Sequence, residues 1–189
     1  MRVFYTDTFV LPLPDGHKFP MEKYCRVRET LLEQQVINPS DLKIPRRATR
    51  QELSQAHDPH YVQRVLEGQL TAKETRRIGF PWSDAMVERS RRSVGATLEA
   101  TSAAIKHGLG INLAGGTHHG FADRGEGFCV FNDVVVAARQ IQHQHPNAQI
   151  LVIDCDVHQG NGTAAMTQDT ASIFTFSIHG ARNFPYRKQ

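Results

Sequence analysis

Four consecutive apolar residues, Ile150-Leu151-Val152-Ile153, run without a break into Asp154-Cys155-Asp156-Val157-His158-Gln159-Gly160-Asn161-Gly162. An uninterrupted apolar run of strand length is what a parallel sheet covered on both faces requires. Where that run stops, three ligand-type side chains follow at every second position. On extended backbone this spacing puts Asp154, Asp156 and His158 on one face. The C-terminal end of a parallel strand is also where open α/β sheets place their sites. A carboxylate beside an imidazole suits a divalent metal such as zinc, and the glycines around Asn161 permit a sharp turn. The plainer reading makes Asp154 a turn cap and His158 a satisfied loop histidine. Three ligand types converging where the chain leaves the core argue against it.

The rest of the chain supplies a framework for such a strand. Ser172 to Ile178 reads as a second buried strand, and residues 163 to 169 as a short helical crossover between the two. Val3 to Tyr5 and Ile111 to Ala114 are further strand candidates. Helices are predicted over Glu22 to Val36, Tyr61 to Leu66 after Asp58-Pro59, Asp84 to His107 between Ser83 and Gly108, and Asp133 to His143 behind Asn132. Strands alternating with helices predict an α/β domain with a mainly parallel sheet. A chain of 189 residues suffices for one sizeable core.

Charge excludes some partners. The formal net charge is only +3. The clusters Arg46-Arg47-Arg50, Arg76-Arg77 and Arg89-Arg91-Arg92 lack interleaved aromatics, so they read as solvated helix faces rather than a nucleic-acid track. The three cysteines, Cys25, Cys129 and Cys155, form no CxxC pair and fit free thiols in a reducing compartment. No leader is evident at Met1 to Asp7, and no apolar run approaches membrane-spanning length. The expectation is a soluble cytoplasmic protein of unspecified oligomeric state.

Two further segments bear on chemistry. Leu113-Ala114-Gly115-Gly116-Thr117-His118-His119-Gly120 also follows a buried strand and should reach the same sheet end. Paired imidazoles there could divide labour as proton carrier and electrostatic partner. A His-His pair alone is more often surface decoration, but its proximity to the Asp-x-Asp-x-His strand reverses that preference. In Gly125-Glu126-Gly127-Phe128-Cys129-Val130-Phe131-Asn132-Asp133, Phe128 either lines a narrow channel or belongs to the core.

Together these three segments resemble the histone deacetylase family, amidohydrolases on an arginase-like α/β fold. Gly-Gly-Thr-His-His, Gly-Phe-Cys-Val-Phe-Asn-Asp and Asp-Cys-Asp-Val-His-Gln-Gly-Asn-Gly stand in the family's order. Asp123-Arg124-Gly125 and His-Gln-Gly-Asn-Gly are most similar to class IV and related bacterial members. Weaker matches extend from His17-Lys18-Phe19-Pro20 through His57-Asp58-Pro59-His60-Tyr61 to Phe176-Ser177-Ile178-His179. The resemblance implies a three-layer arginase/deacetylase fold acting on acetylated lysine or a small acetylated amine. It implies zinc on Asp156 and His158, with His119 as general base and then acid. His118 becomes its electrostatic partner, oriented by Asp154. Asn161 stands where many members carry an aspartate supporting the second histidine. Phe128 lines the acyl-lysine tunnel, and the Gly127 carbonyl accepts the substrate amide N–H. Asp154, Ser177 and Ile178, with backbone oxygens of Asp156 and His158, match the family's structural potassium site.

The resemblance also implies something missing. A catalytic zinc takes three protein ligands, and the motif supplies two. Family members draw a third aspartate and an oxyanion-stabilising tyrosine from later loops, and Tyr186 does not stand in that tyrosine's motif. Asp123, Asp133, Asp169 and His179 are the alternative ligands, with no spacing that favours one. Residues 1–189 are therefore expected to be the N-terminal portion of a single domain, with unpaired strand edges and uncovered apolar surface. The competing readings are a non-catalytic fragment that keeps metal or partner binding, and a dimanganese ureohydrolase. Gln159 and Asn161 oppose the last, since they occupy the stretch where bridging carboxylates would stand.

Overall fold

Strands that carry apolar residues in unbroken runs pair in parallel here, but in two small sheets rather than one. The computed structural model describes residues 1–189. In chain order the elements are β1 (Arg2–Phe4), α1 (Lys23–Glu33), a 3-10 turn at Pro39–Asp41 and β2 (Leu42–Lys43). Then follow α2 (Arg50–Leu53), α3 (Pro59–Leu66), α4 (Ala72–Ile78), α5 (Asp84–His107), β3 (Gly110–Asn112), α6 (Asp133–Gln144), β4 (Ile150–Asp154), α7 (Asn161–Thr167) and β5 (Ile173–Ser177). One sheet has the order β2-β1-β3 and the other is β4-β5, every pairing parallel.

Local chemistry explains where the helices start and stop. The Ser83 hydroxyl accepts from the Met86 N–H at the start of α5, and Gly108 closes the helix at φ 84°, a left-handed conformation that glycine adopts without Cβ strain. Asp58 caps α3 by accepting from the N–H groups of His60 and Tyr61, with Pro59 in the first turn. A reciprocal Thr71/Glu74 capping box opens α4, which the sequence pattern did not disclose. Its Arg76 and Arg77 do lie on a helix, as their clustering implied. Helix α1 is shorter than the predicted Glu22 to Val36 because the chain turns at Gln35, whose φ is 56°.

The main core gathers Tyr61, Phe80, Phe131, Leu53, Met86 and Val94, so it lies between α3, α5 and the segment leading into α6. A smaller cluster of Phe4, Ala96, Ala100 and Ala103 seats α5 on the first sheet. A Cβ at Gly110 would fall 1.9 Å from the Ala100 carbonyl oxygen, so only glycine lets β3 pass this close to α5.

Two expectations need correction. The β4-β5 sheet is not covered on both faces: paired residues Leu151 and Phe174, and Ile153 and Phe176, are 60%, 66%, 63% and 52% exposed. The opposite face packs under α7. Nor are the arginines of α5 a solvated face. Arg92 donates to Glu88 and to the Pro45 carbonyl, and Arg91 to the Ala48 carbonyl, pinning the extended 45–48 segment to the helix. Arg89 is buried, at 5% exposure.

Candidate active site

The His118-His119 segment is shaped by two buried polar anchors. Asp133, at the start of α6, accepts from the backbone N–H groups of Gly116 and Thr117 and from the hydroxyls of Thr117 and Thr97. These bonds consume both oxygens, so Asp133 holds the glycine-rich loop and is no metal ligand. Asn132 donates from its amide to the Gly120 carbonyl and to Thr163 Oγ1, while its Oδ1 accepts from Val135 N–H and caps α6. His57 completes the brace: its Nδ1 lies 2.9 Å from the Phe121 carbonyl and its Nε2 accepts from the Asn132 N–H at 2.9 Å. That pair of contacts requires the neutral Nδ1–H tautomer, and burial pushes the His57 pKa down to about 4.

Each site imidazole then has its own acceptor. His118 Nδ1 lies 2.6 Å from Asp154 Oδ2, and His119 Nδ1 lies 2.7 Å from Asn161 Oδ1. Both Nδ1 atoms therefore carry protons, leaving the Nε2 lone pairs free. The two rings are 4.1 Å apart, centroid to centroid. Burial pushes the His119 pKa down to about 4, and the neighbouring His118 and His158 add to this; the Asn161 hydrogen bond works in the opposite direction. Burial would raise the Asp154 pKa, but the His118 contact and the Asp156 N–H outweigh it and hold the carboxyl below its usual range.

Asp154, Asp156 and His158 do come together, though not by strand alternation. Strand β4 ends at Asp154, and the next residues bend. The carboxylates fold back on the backbone instead: Asp154 Oδ1 accepts from Asp156 N–H at 3.0 Å, and Asp156 Oδ1 accepts from His158 N–H at 2.7 Å. Asp156 Oδ1 and His158 Nδ1 end 3.1 Å apart, with both side chains about half exposed, and His118 Nε2 is 3.9 Å from the same oxygen. The His119 and His158 rings are 5.9 Å apart. The Asp–His pair and the twin imidazoles thus share one space.

That space is a cavity of about 520 Å³ whose wall includes Thr117, His118, His119, Gly127, Phe128 and Asp156. A Cβ at Gly127, where φ is 55°, would sit 2.8 Å from the His119 ring. The backbone here therefore approaches the imidazole as only glycine can. Phe128, itself at φ 67°, serves both expected roles, because it lines the cavity and packs against His17, Phe19 and Phe80. Cys129 closes the wall, its thiol pushed up to about 12 by burial. Phe184 also lines the cavity, edge-on to His119 at 4.8 Å. The sequence reading missed Phe184, since it sits in a loop with no periodicity to single it out.

The donors fit a divalent metal only in part. Asp156 and His158 offer an oxygen and a nitrogen converging on the cavity, the right chemistry for two zinc positions. Although the histidines and carboxylates gather here, no three His, Cys, Asp or Glu side chains are arranged so as to hold a metal ion together. Of the alternative ligands, Asp123 pairs with Arg124, His179 Nδ1 meets Ser177 Oγ at 3.0 Å, and Asp169 is exposed at the end of α7. At the ends of the paired strands Asp154 lies beside Ser177, and the Ile178 N–H donates to the Asp154 carbonyl at 3.0 Å. Tyr186 is 86% exposed and away from the site. No helix is long and apolar enough to cross a membrane.

Several known proteins are similar to this chain. The family model described as the histone deacetylase domain matches residues 17–189. An uncharacterized protein of Picosynechococcus is 45% identical over 187 residues, covering 99% of this chain and 62% of its own length. The acetoin utilization protein AcuC of Bacillus subtilis is 34% identical over 86% of this chain and 44% of itself. Human polyamine deacetylase HDAC10 is 35% identical over 82% of the chain and 24% of itself. The crystal structure of a histone deacetylase homologue from Aquifex aeolicus superposes with a TM-score of 0.84 at 26% identity, over 99% of this chain and 53% of that one. The chain thus spans between a quarter and about three fifths of the length of these relatives.

Proposed function

Since this chain belongs to the histone deacetylase family, we propose that it forms the larger part of the active site of a zinc-dependent amide hydrolase. The substrate would be acetylated lysine or a related acetylated amine, and the products acetate and the free amine. One observation carries this reading: His119 is a buried neutral imidazole with its Nδ1 proton held by Asn161, facing a cavity whose wall also bears the Asp156–His158 pair.

The chain's own residues account for the proton movements. His119 Nε2 accepts a proton from water in the cavity and returns it to the departing amine nitrogen. The Asn161 oxygen keeps the ring in the required tautomer but supplies no full negative charge. His118 differs in its partner, because the Asp154 carboxylate sets a full negative charge beside that ring and orients it. The Gly127 carbonyl would accept the substrate amide N–H, while Phe128 and Phe184 would narrow the approach and exclude water. Asp156 and His158 would hold the metal, which when bound polarises the acyl carbonyl and acidifies water. A potassium ion at Asp154, Ser177, Ile178 and the backbone oxygens of Asp156 and His158 would stiffen the turn beneath the histidines.

The test is acetate release from an acetyl-lysine peptide and an acetylated polyamine by the purified chain with added zinc. His119→Ala should lower the rate by about 10²–10⁴-fold. Turnover unaffected by that substitution would remove the mechanism. The two-donor set favours one second reading, a chain that binds metal or a partner without turning over substrate. Calorimetric zinc binding lost in His158→Ala, with no acetate release from the unsubstituted chain, would select it.

A further inference from the structure

Arg89 is the group that the mechanism leaves unused. It lies on α5, 5% exposed, and its guanidinium forms neither an ion pair nor a hydrogen bond, yet none of its nitrogens is fully sealed. It is stacked among aromatic rings, 4.8 Å from the Tyr24 centroid, 5.7 Å from Phe19 and 5.9 Å from Phe80. The Lys23 ammonium rests on two of the same rings, 4.7 Å from Phe19 and 5.1 Å from Tyr24. Arg89, Lys23 and Lys18 all line the cavity that holds His118 and His119, and the only carboxylate on that wall is Asp156 at the metal-binding end. The ring faces reduce the cost of taking a guanidinium from water, but they do not supply a counter-charge.

Arg89 also borders a second cavity, lined by Asp7, Glu22 and Glu29. Those acids are engaged elsewhere: Asp7 in a two-oxygen grip on Arg28, Glu22 with Arg26, and Glu29 with the Cys25 thiol. That side repels an anion, whereas the histidine cavity attracts one. An arginine fork of this kind matches a carboxylate in plane and in hydrogen-bond spacing.

We propose that Arg89, assisted by Lys18 and Lys23, forms a carboxylate-binding subsite in the candidate active-site cavity, so that the site takes acyl groups ending in a carboxylate. This deepens the hydrolase reading and rests on it. One turn along α5 from Arg89, Ser93 donates to the Ala114 carbonyl, so this part of α5 runs behind the Gly115–Thr117 wall of the cavity, and Arg89 is buried where Asp156 and His158 are half exposed. The acyl end of a substrate, which must travel inward to bring its carbonyl to His119, is the part that can reach it. For a succinyl-type amide the reaction breaks the amide C–N bond and forms a C–O bond from water. One proton goes to the leaving amine, and the products are succinate and the free amine.

Binding can be measured apart from turnover. By calorimetry on the purified chain, N-butylsuccinamate should bind at least tenfold more tightly than its neutral diamide, in which a carboxamide replaces the carboxylate. Arg89→Met should erase the difference, and Lys23→Ala should reduce it by a few-fold. Equal affinities for the two ligands would overturn the proposal, as would a preference surviving in a folded Arg89→Met. If Arg89→Met fails to fold, Arg89→Lys decides: the charge stays, the fork is lost, and the preference must fall. Free acetate binding as tightly as the tethered carboxylate would assign the subsite to a released product and overturn the acyl-end assignment. Acetyl hydrolysis with no carboxylate preference refutes this subsite alone. A preference without any turnover refutes the hydrolase reading and leaves the subsite standing.

Discussion

His57 illustrates how a single side chain can fix both tautomer and stability. Its Nε2 accepts the Asn132 N–H, so protonating the ring would set two donors against each other in a buried place. Its pKa is depressed to about 4 when folded, against roughly 6.5 in an unfolded chain. The unfolded state therefore binds more protons between those values, and stability falls as pH drops through that window. The shift corresponds to about 3 kcal/mol, fully present above pH ~6.5 and absent below ~4. Urea denaturation at pH 7 and pH 4.5 should show the loss, and His57→Gln should reduce this pH dependence, leaving the part that His119, depressed to the same value, contributes. At Asn161 the expectation concerns activity: Asn161→Leu removes the Nδ1 acceptor and should lower kcat at least tenfold with KM little changed, and Asn161→Asp should restore it. A KM effect alone would show that Asn161 does not position the base.

At the level of elements, the site is clamped where loops meet helix starts. Asp133 and Asn132 open α6 and hold the backbone on either side of the histidines, while Thr163 N–H at the start of α7 donates to the His118 carbonyl. Asp133→Asn places an amide N–H among donors, which should cost roughly 1–3 kcal/mol in denaturant unfolding and disturb the His118 environment in NMR spectra. The sequence disclosed much of this arrangement. Helices α5 and α6 were legible from Ser83, Gly108 and Asn132, since capping acts over a few residues. His118, His119, Asp154 and Asn161 were legible because each pair lies in a short motif. Arg89 and Phe184 were not: a charged residue in an arginine-rich helix carries no sign of burial, and a loop phenylalanine has no period. Helix α4 was hidden by its polarity, and the coming together of Asp156 and His158 was foreseen for the wrong geometric reason.

For the molecule as a whole, the open face of β4 and β5 is the departure from ordinary packing. Parallel sheets are normally covered on both faces, and a contiguous stripe of Leu151, Ile153, Phe174 and Phe176 is exposed here. The stripe should bind an apolar dye such as ANS and promote concentration-dependent association. The double substitution Phe174→Thr and Phe176→Thr should reduce both in fluorescence and sedimentation measurements, and dye binding unchanged by it would place the apolar surface elsewhere. The same bareness reaches the chemistry. Asp154, the last residue of β4, is the brace of His118, and it is steadied from one side only. A body that settled on the bare side would brace Asp154 from behind, and so bear on the twin imidazoles through the back of the sheet without coming near the cavity.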